Sequence, residues 1–348
     1  MVQGSPFTVQ KLFMPGTGPR WLPYGVLILI VAAAPLVFSG RMSYYLSILS
    51  LAGIYAVVVI GLNMLMGYAG QISLGHAAFF AIGAYTSGIL STRYGLSPIL
   101  CALPAVAAAG SVAVLIGIPT LKLKEHYLAM ATLGFGIIMY TILRADPGSM
   151  TGGIQGMPNI PPLQILGHAA DSDRAQYTIV WSTVILVFLF STNILESRFG
   201  RALMAIHKSE VCAAVLGINV FGHKLQVFVL SALYAGFAGF LYAHCSPLKY
   251  LNPDDVAHVI LSIKFVTMVV IGGMGNRWGA LCGAVGLTVL PEVLRLMSSL
   301  LHGISSTDIE MACYGLILIM VMILSTRTRK RLLPIPAENT LTQHPIRQ

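Results

Sequence analysis

The chain has 348 residues, of which 56% are hydrophobic and only 9% charged, with a formal net charge of +9. Soluble domains carry about a quarter charged residues, so this chain cannot cover a water-exposed surface, and its composition excludes a soluble globular protein. The positive balance fits basic residues crowding the cytoplasmic loops of a membrane protein and does not call for nucleic acid.

A spanning helix needs roughly 20 apolar residues. The chain is therefore expected to be an all-α, polytopic integral membrane protein of about ten transmembrane helices in one domain. That domain covers 21–326, between a polar lead, 1–20, and a basic and polar tail, 327–348. Trp21 to Gly40 is charge-free and forms the first helix. It starts late, is long, and lacks a small-x-small cleavage site, which separates it from a signal peptide. Met42 to Thr92 holds no charged residue and provides two helices, 45–66 and 72–91, joined by the turn GYAGQIS. Pro98 to Pro119 and His126 to Leu143 follow, on either side of Lys122, Lys124 and Glu125. Residues 144–176, rich in Gly, Pro and Asp, form the longest aqueous loop. Tyr177 to Leu195 is the sixth helix.

The stretch 197–219, SRFGRALMAIHKSEVCAAVLGIN, breaks the pattern. It carries Arg198, Arg201, His207, Lys208 and Glu210 among small and apolar residues. It is too charged to span a bilayer and too apolar on one face for a simple loop. A short helix at the cytoplasmic surface that touches a partner is one reading; an ordinary basic loop is the other. Beyond it lie helices at Leu225–Ala243, 256–272, 279–298 and Met311–Ser325, then the run Arg327, Arg329, Lys330, Arg331.

Charge asymmetry orients the chain. With both termini in the cytoplasm, most of the 21 lysines and arginines fall inside, including Lys122, Lys124, Arg198, Arg201, Lys208, Lys224 and the C-terminal run. Arg41, Arg93, Arg144, Arg174 and Lys249 fall outside. This is the positive-inside pattern, and it assigns 197–219 to the cytoplasm and 144–176 to the outer face.

Several polar groups stand where few are tolerated. Asn63, Gln71 and His76 lie near a membrane boundary beside Gly67, Gly70 and Gly75. His76 reads first as a hydrogen-bonded structural histidine and second as a ligand site. Gly272, Gly273, Gly275 and Gly279 make a second turn of the same design, with Gly279 and Gly283 in small-xxx-small spacing. Lys264 lies mid-helix, and an intramembrane ionisable residue is a functional candidate by default. Glu292 and Arg295, spaced i,i+3, read as a structural pair. The five scattered cysteines show no Cys-x-x-Cys spacing and indicate neither a disulfide framework nor a metal site. No Gly-x-x-x-x-Gly-Lys-Ser/Thr phosphate loop occurs, nor a zinc, nucleophile-elbow or dinucleotide motif. The chain therefore reads as no enzyme and as needing no cofactor, and any ATP hydrolysis would belong to another subunit.

FGRALMAI followed by SEVCAAVLGIN resembles the coupling loop of ABC importer permeases, and more closely that of branched-chain amino acid permeases. GLNMLMGYAGQISLGHAAFFAIGAY (61–85), HYLAMATLGFG (126–136), TGGIQGMPNIP (151–161), MVVIGGMGNRWGALCGA (268–284) and LPEVLR (290–295) resemble the same family, in order. Ile137, Lys264 and Ala214 depart from it, standing where acidic residues are common. The resemblance implies an inner-membrane permease of an ATP-driven importer for branched-chain or related hydrophobic amino acids. It implies a second homologous permease, cytoplasmic ATP-binding subunits and an extracytoplasmic binding protein, with membrane lipid around them. Arg201, Lys208, Glu210, Ala213 and Gly217 would then couple to the ATPase, with Ala213, Ala214 and Gly217 allowing close approach. Asn63, Gln71, His76 and Lys264 are the pathway or gating candidates. A permease for urea or short amides is the alternative within the class, and a secondary transporter the alternative outside it.

Overall fold

A computed structural model of the protein describes residues 22–37, 43–123, 125–165, 168–169, 172–246 and 249–298. The expected tenth helix at Met311–Ser325, the polar lead 1–20 and the tail 327–348 lie outside the described residues. The helices are α1 (Leu22–Val37), α2 (Ser43–Asn63), α3 (His76–Arg93), α4 (Pro98–Thr120), α5 (Glu125–Ala145) and α6 (Asp173–Glu196). There follow α7 (Arg198–Lys208), α8 (Glu210–Val215), α9 (Val220–Cys245), α10 (Pro253–Val256), α11 (Val259–Gly272) and α12 (Arg277–Ser298). A wider helical turn, Met64–Tyr68, prolongs α2. A small hairpin pairs β1 (Gln164–Ile165) antiparallel with β2 (His168–Ala169).

Six described segments are long and apolar enough to cross a membrane: Ser43–Tyr68, Pro98–Thr120, Tyr127–Ala145, Asp173–Glu196, Val220–Cys245 and Pro253–Gly272. The expected helices α1, α3 and α12 are present but do not meet that measure by themselves. For α3 the packing supplies the reason. It carries His76, Tyr85, Ser87 and Ser91 yet buries nearly its whole length against its neighbours, so protein rather than lipid solvates its polar groups.

The core is α2, α3 and α9, walled by α4, α6, α11 and α12. The C-terminal half of α2, residues 52–63, is buried nearly all round, which is why its sequence shows no polar face. At the α3–α9 crossing the backbones touch. A Cβ added at Gly83 would lie 2.0 Å from the Gly236 carbonyl oxygen, and one at Gly239 would lie 1.9 Å from that of Phe80. Small residues allow such approach between membrane helices, where packing and not hydrophobic exclusion drives association. Two aromatic clusters diverge from adjacent residues of α3. Phe80 meets Tyr55, Tyr242 and Phe265 with centroids 5.4–6.3 Å away, and Phe79 meets Phe135 at 5.2 Å and Phe228 at 5.7 Å.

The long loop after α5 is no loose excursion. Met157 and Leu251 exchange both backbone hydrogen bonds, at 2.8 and 3.0 Å, and Ile160 N–H donates to the Lys249 carbonyl at 3.2 Å. The His244 ring lies 2.8 Å from the Pro161 carbonyl, and the Tyr250 hydroxyl donates to the Gln155 carbonyl. A Cβ at Gly152 would lie 2.0 Å from the Gly156 carbonyl oxygen, and both glycines have left-handed φ. The motif TGGIQGMPNIP thus folds into a tight cap strapped to the segment between α9 and α10. Its first turn is held by Asp146, which accepts from the Thr151 N–H and hydroxyl at 2.6 and 2.8 Å. The Thr151 N–H is the main cause that holds the Asp146 carboxyl below its ordinary range.

Candidate functional site

At the other end of the bundle, α7 and α8 lie between the end of α6 and the start of α9. The expected single helix within 197–219 is in fact two. Ser209 is extended, with φ −165° and ψ 113°, and its side chain accepts from Cys212 N–H at 3.3 Å. A serine ahead of a glutamate is a strong helix start, and here it interrupts one helix to begin the next. Ser197 caps α7 in the same way through Phe199 N–H at 3.2 Å. Asn219 caps α9 through Gly222 N–H at 2.9 Å. That last cap starts α9 earlier than the expected Leu225. It moves His223 and Lys224 from a loop onto the first turns of a core helix.

α7 is amphipathic and buries Gly200, Leu203 and Ile206 against the bundle. Of the residues expected to couple, Arg201, Lys208 and Glu210 are exposed and Ala213 is buried. Arg201 donates to the Glu196 carbonyl at 2.9 Å. Glu210 is ion-paired with Lys224. A Cβ at Gly217 would meet nothing of this chain within 4 Å. Its φ of +80° ends α8 in a left-handed turn that most side chains resist. Three large apolar side chains on and just after α8 are widely exposed, with Val211 74%, Val215 83% and Leu216 77% accessible. Attention to charge passed over these three. The available signal was that α8, EVCAAV, is apolar after its first residue, so a helix this short must present some of it outward.

Behind α7 and α8 lies a junction of the two glycine turns. Asn63 Oδ1 accepts from Gly275 N–H at 2.9 Å, and its Nδ2 donates to the Asn276 carbonyl at 3.2 Å, joining residues 212 and 213 positions apart. A Cβ at Gly67 would fall 2.2 Å from the Gly275 nitrogen. Gly70 approaches the His207 ring of α7. Glu196, at the end of α6, pairs with Arg277, at the start of α12, at 3.0 Å. The ends of α2, α6, α7 and α12 therefore form one layer. Because Asn63 is buried, Asn63→Ala leaves the Gly275 N–H without its acceptor, at a cost of about 1–3 kcal/mol. The expected result is a lower thermal midpoint for the purified permease, and Asn63→Asp should not rescue it, because its second oxygen would face the Asn276 carbonyl with no donor between them.

The other pathway candidates are separated from one another in role. His76 is fully buried, with Nδ1 3.1 Å from the Ser73 hydroxyl and Nε2 3.0 Å from that of Ser231. Ser231 spends its proton on the Phe228 carbonyl at 2.8 Å, so it accepts from Nε2–H, and Nδ1 accepts from Ser73. A neutral imidazole satisfies both bonds and has no nitrogen free for a ligand. Gln71 is buried with neither amide atom hydrogen-bonded. Lys264 sits part-buried midway along the Pro253–Gly272 segment. Glu292 accepts from the Tyr44 hydroxyl at 3.3 Å. Among the described residues no group of histidines, cysteines or carboxylates is arranged to hold a metal ion.

Comparison with known proteins bears on this geometry. Residues 44–324 match the family described as branched-chain amino acid transport system / permease component. The chain is 31% identical over 309 residues to the high-affinity branched-chain amino acid transport system permease protein LivM of Escherichia coli, covering 82% of this chain and 69% of that protein. It is 26% identical to the corresponding permease BraD of Pseudomonas aeruginosa, over 69% of this chain and 82% of BraD. It is also 24% identical to the fructose import permease FrcC of Rhizobium meliloti, over 81% and 80% of the two chains. No solved structure matches it significantly.

Proposed function

The chain belongs to the permease-component family of branched-chain amino acid transport systems, and from that premise we propose that it is a membrane-spanning subunit of an ATP-driven importer for branched-chain or related hydrophobic amino acids. Its partners are a second, similar permease, cytoplasmic ATP-binding subunits and an extracytoplasmic binding protein. It crosses the inner membrane ten times with both termini in the cytoplasm. The observation that carries the coupling role is the apolar knob Val211, Val215 and Leu216 on a capped helix pair at the end of the bundle. Three large aliphatic side chains held in water at the tip of a short helix fit the centre of a protein interface, which is depleted in charge.

In the working cycle, closure of the ATPase dimer pushes on α8. The push passes into α9 through the joint at its second turn, and into α2 and α12 through the glycine junction behind α7. α9 carries it to α3 because their backbones touch and cannot slide freely. Substrate arrives from the binding protein at the opposite end, where the strapped 151–161 cap adjoins α10. Selection rests mainly on the binding protein.

A permease relative named for fructose matches over a similar share of the chain, so substrate class is the point to test. With its cognate permease, ATPases and binding protein in proteoliposomes, the chain should accumulate labelled leucine, isoleucine or valine only when ATP is supplied inside. Uptake of urea or fructose in preference would replace the substrate assignment. Uptake that ignores ATP would replace the importer reading with a secondary transporter.

A further inference from the structure

Glu210 and Lys224 form an ion pair between the first residue of α8 and the second turn of α9. Only 13% of the Lys224 side chain is accessible, against 48% for Glu210. The lysine is the more enclosed partner, its long stem covered by protein while the carboxylate stays open. The pair does not stand alone. Next to Lys224, the His223 ring stacks on Phe199 of α7, with centroids 5.6 Å apart and planes 20° from parallel. Ile218 N–H donates to the Ala213 carbonyl at 3.0 Å, closing the α8–α9 loop on itself, and Ala213 is buried beneath it. α7 and α8 are thus both fastened to one turn of α9, at adjacent residues.

We infer that Glu210 is a positioning residue that acts through Lys224, a strut making α8 and the start of α9 move as one body, and not a contact on the ATPase. The inference rests on the coupling role proposed above. The division of labour follows from the geometry. Val211, Val215 and Leu216 point outward and are free to dock, whereas the Glu210 carboxylate is already engaged inside the permease. Without the strut a push on α8 is absorbed in the turn at Leu216–Gly217, whose left-handed glycine has open space around it.

The test uses the complete transporter in proteoliposomes. Glu210→Lys and Lys224→Glu should each lower ATP-driven uptake at least tenfold while the ATPase subunits still co-purify at the wild-type ratio and still hydrolyse ATP. The double exchange, Glu210→Lys with Lys224→Glu, should restore uptake to within about threefold of wild type. If Glu210→Lys instead releases the ATPase, and Lys224→Glu does not rescue it, Glu210 is an ATPase contact and the strut is wrong. A second measurement serves if the charge variants assemble poorly. Cysteines at 210 and 224, in a background where the exposed Cys212 and Cys282 are serine, are bridged by a short bismaleimide. A rigid joint predicts that the unbridged double-cysteine variant has low uptake and that bridging restores it; uptake that bridging leaves low, or that is normal before bridging, overturns it. A wild-type transporter that works without ATP would sink the coupling reading itself, a result the variants cannot mimic.

Discussion

Gly83→Leu should abolish the folded permease, and Gly83→Ala should come close to doing so. The Cβ common to both would sit 2.0 Å from the Gly236 carbonyl oxygen and 2.6 Å from its carbonyl carbon and Cα. These are backbone atoms of a buried helix, with no flexible side chain that can turn aside. The only relief is to push α3 and α9 apart, and those two helices share the most extensive contact in the bundle. Overpacking in cores usually costs about 1–3 kcal/mol. Here separation also strips packing from Phe79 and Phe80 and from their two aromatic clusters, so the cost should reach about 3 kcal/mol or more. Set against total stabilities of about 5–15 kcal/mol, that is a large share. Gly286 of α12 is the control, because a Cβ there meets nothing within 4 Å and alanine favours the helix. The measurements are the yield of monodisperse protein in detergent and its thermal midpoint. If Gly83→Ala purifies and melts like wild type, the α3–α9 backbone contact is not as close as described.

The second large effect should fall on assembly and leave the fold alone. Val211→Asp with Val215→Asp places two carboxylates on side chains that are 74% and 83% accessible. Neither contributes to the core, so expression and thermal midpoint should stay near wild type. If these residues dock the ATPase, each behaves as an interface anchor, worth about 2 kcal/mol or more. That is roughly 30-fold in affinity for each. The ATP-binding subunits should then fail to co-purify and ATP-driven uptake should fall to background. Arg201→Ala and Lys208→Ala, at exposed positions of α7, should cost severalfold at most, since exposed charges contribute little. Normal co-purification of the double aspartate variant would remove α8 from the docking surface.

Glu210 shows how far residue-by-residue logic reaches. Its position after Ser209 marks the start of a helix, and its charge in an apolar stretch sets the region apart from the spanning segments; both are legible in the residues themselves. That its carboxylate serves Lys224 and not a partner depends on where the second turn of α9 lands. This in turn depends on the Asn219 cap, which lengthens α9 to include Lys224. Asn63 is similar. A polar residue at a membrane boundary is visible in one dimension, but its bond to Gly275 requires α2 and the α11–α12 turn to meet.

By itself the sequence determined the membrane class, the positions of the six described segments long and apolar enough to span it, and the two special stretches 151–161 and 197–219. Those follow from the transfer of each segment between water and lipid, which depends only on the residues within it. The two glycine turns were likewise recognisable as a pair of related designs. Tertiary structure alone decided that the turns lock onto each other, that polar α3 lies in the core, that 151–161 is strapped to the α9–α10 segment, and that the surface stretch is two helices with an apolar tip. Each of these is a contact between surfaces far apart in the chain. Its energy comes from shape and hydrogen-bond complementarity across the bundle, which no single segment's composition contains.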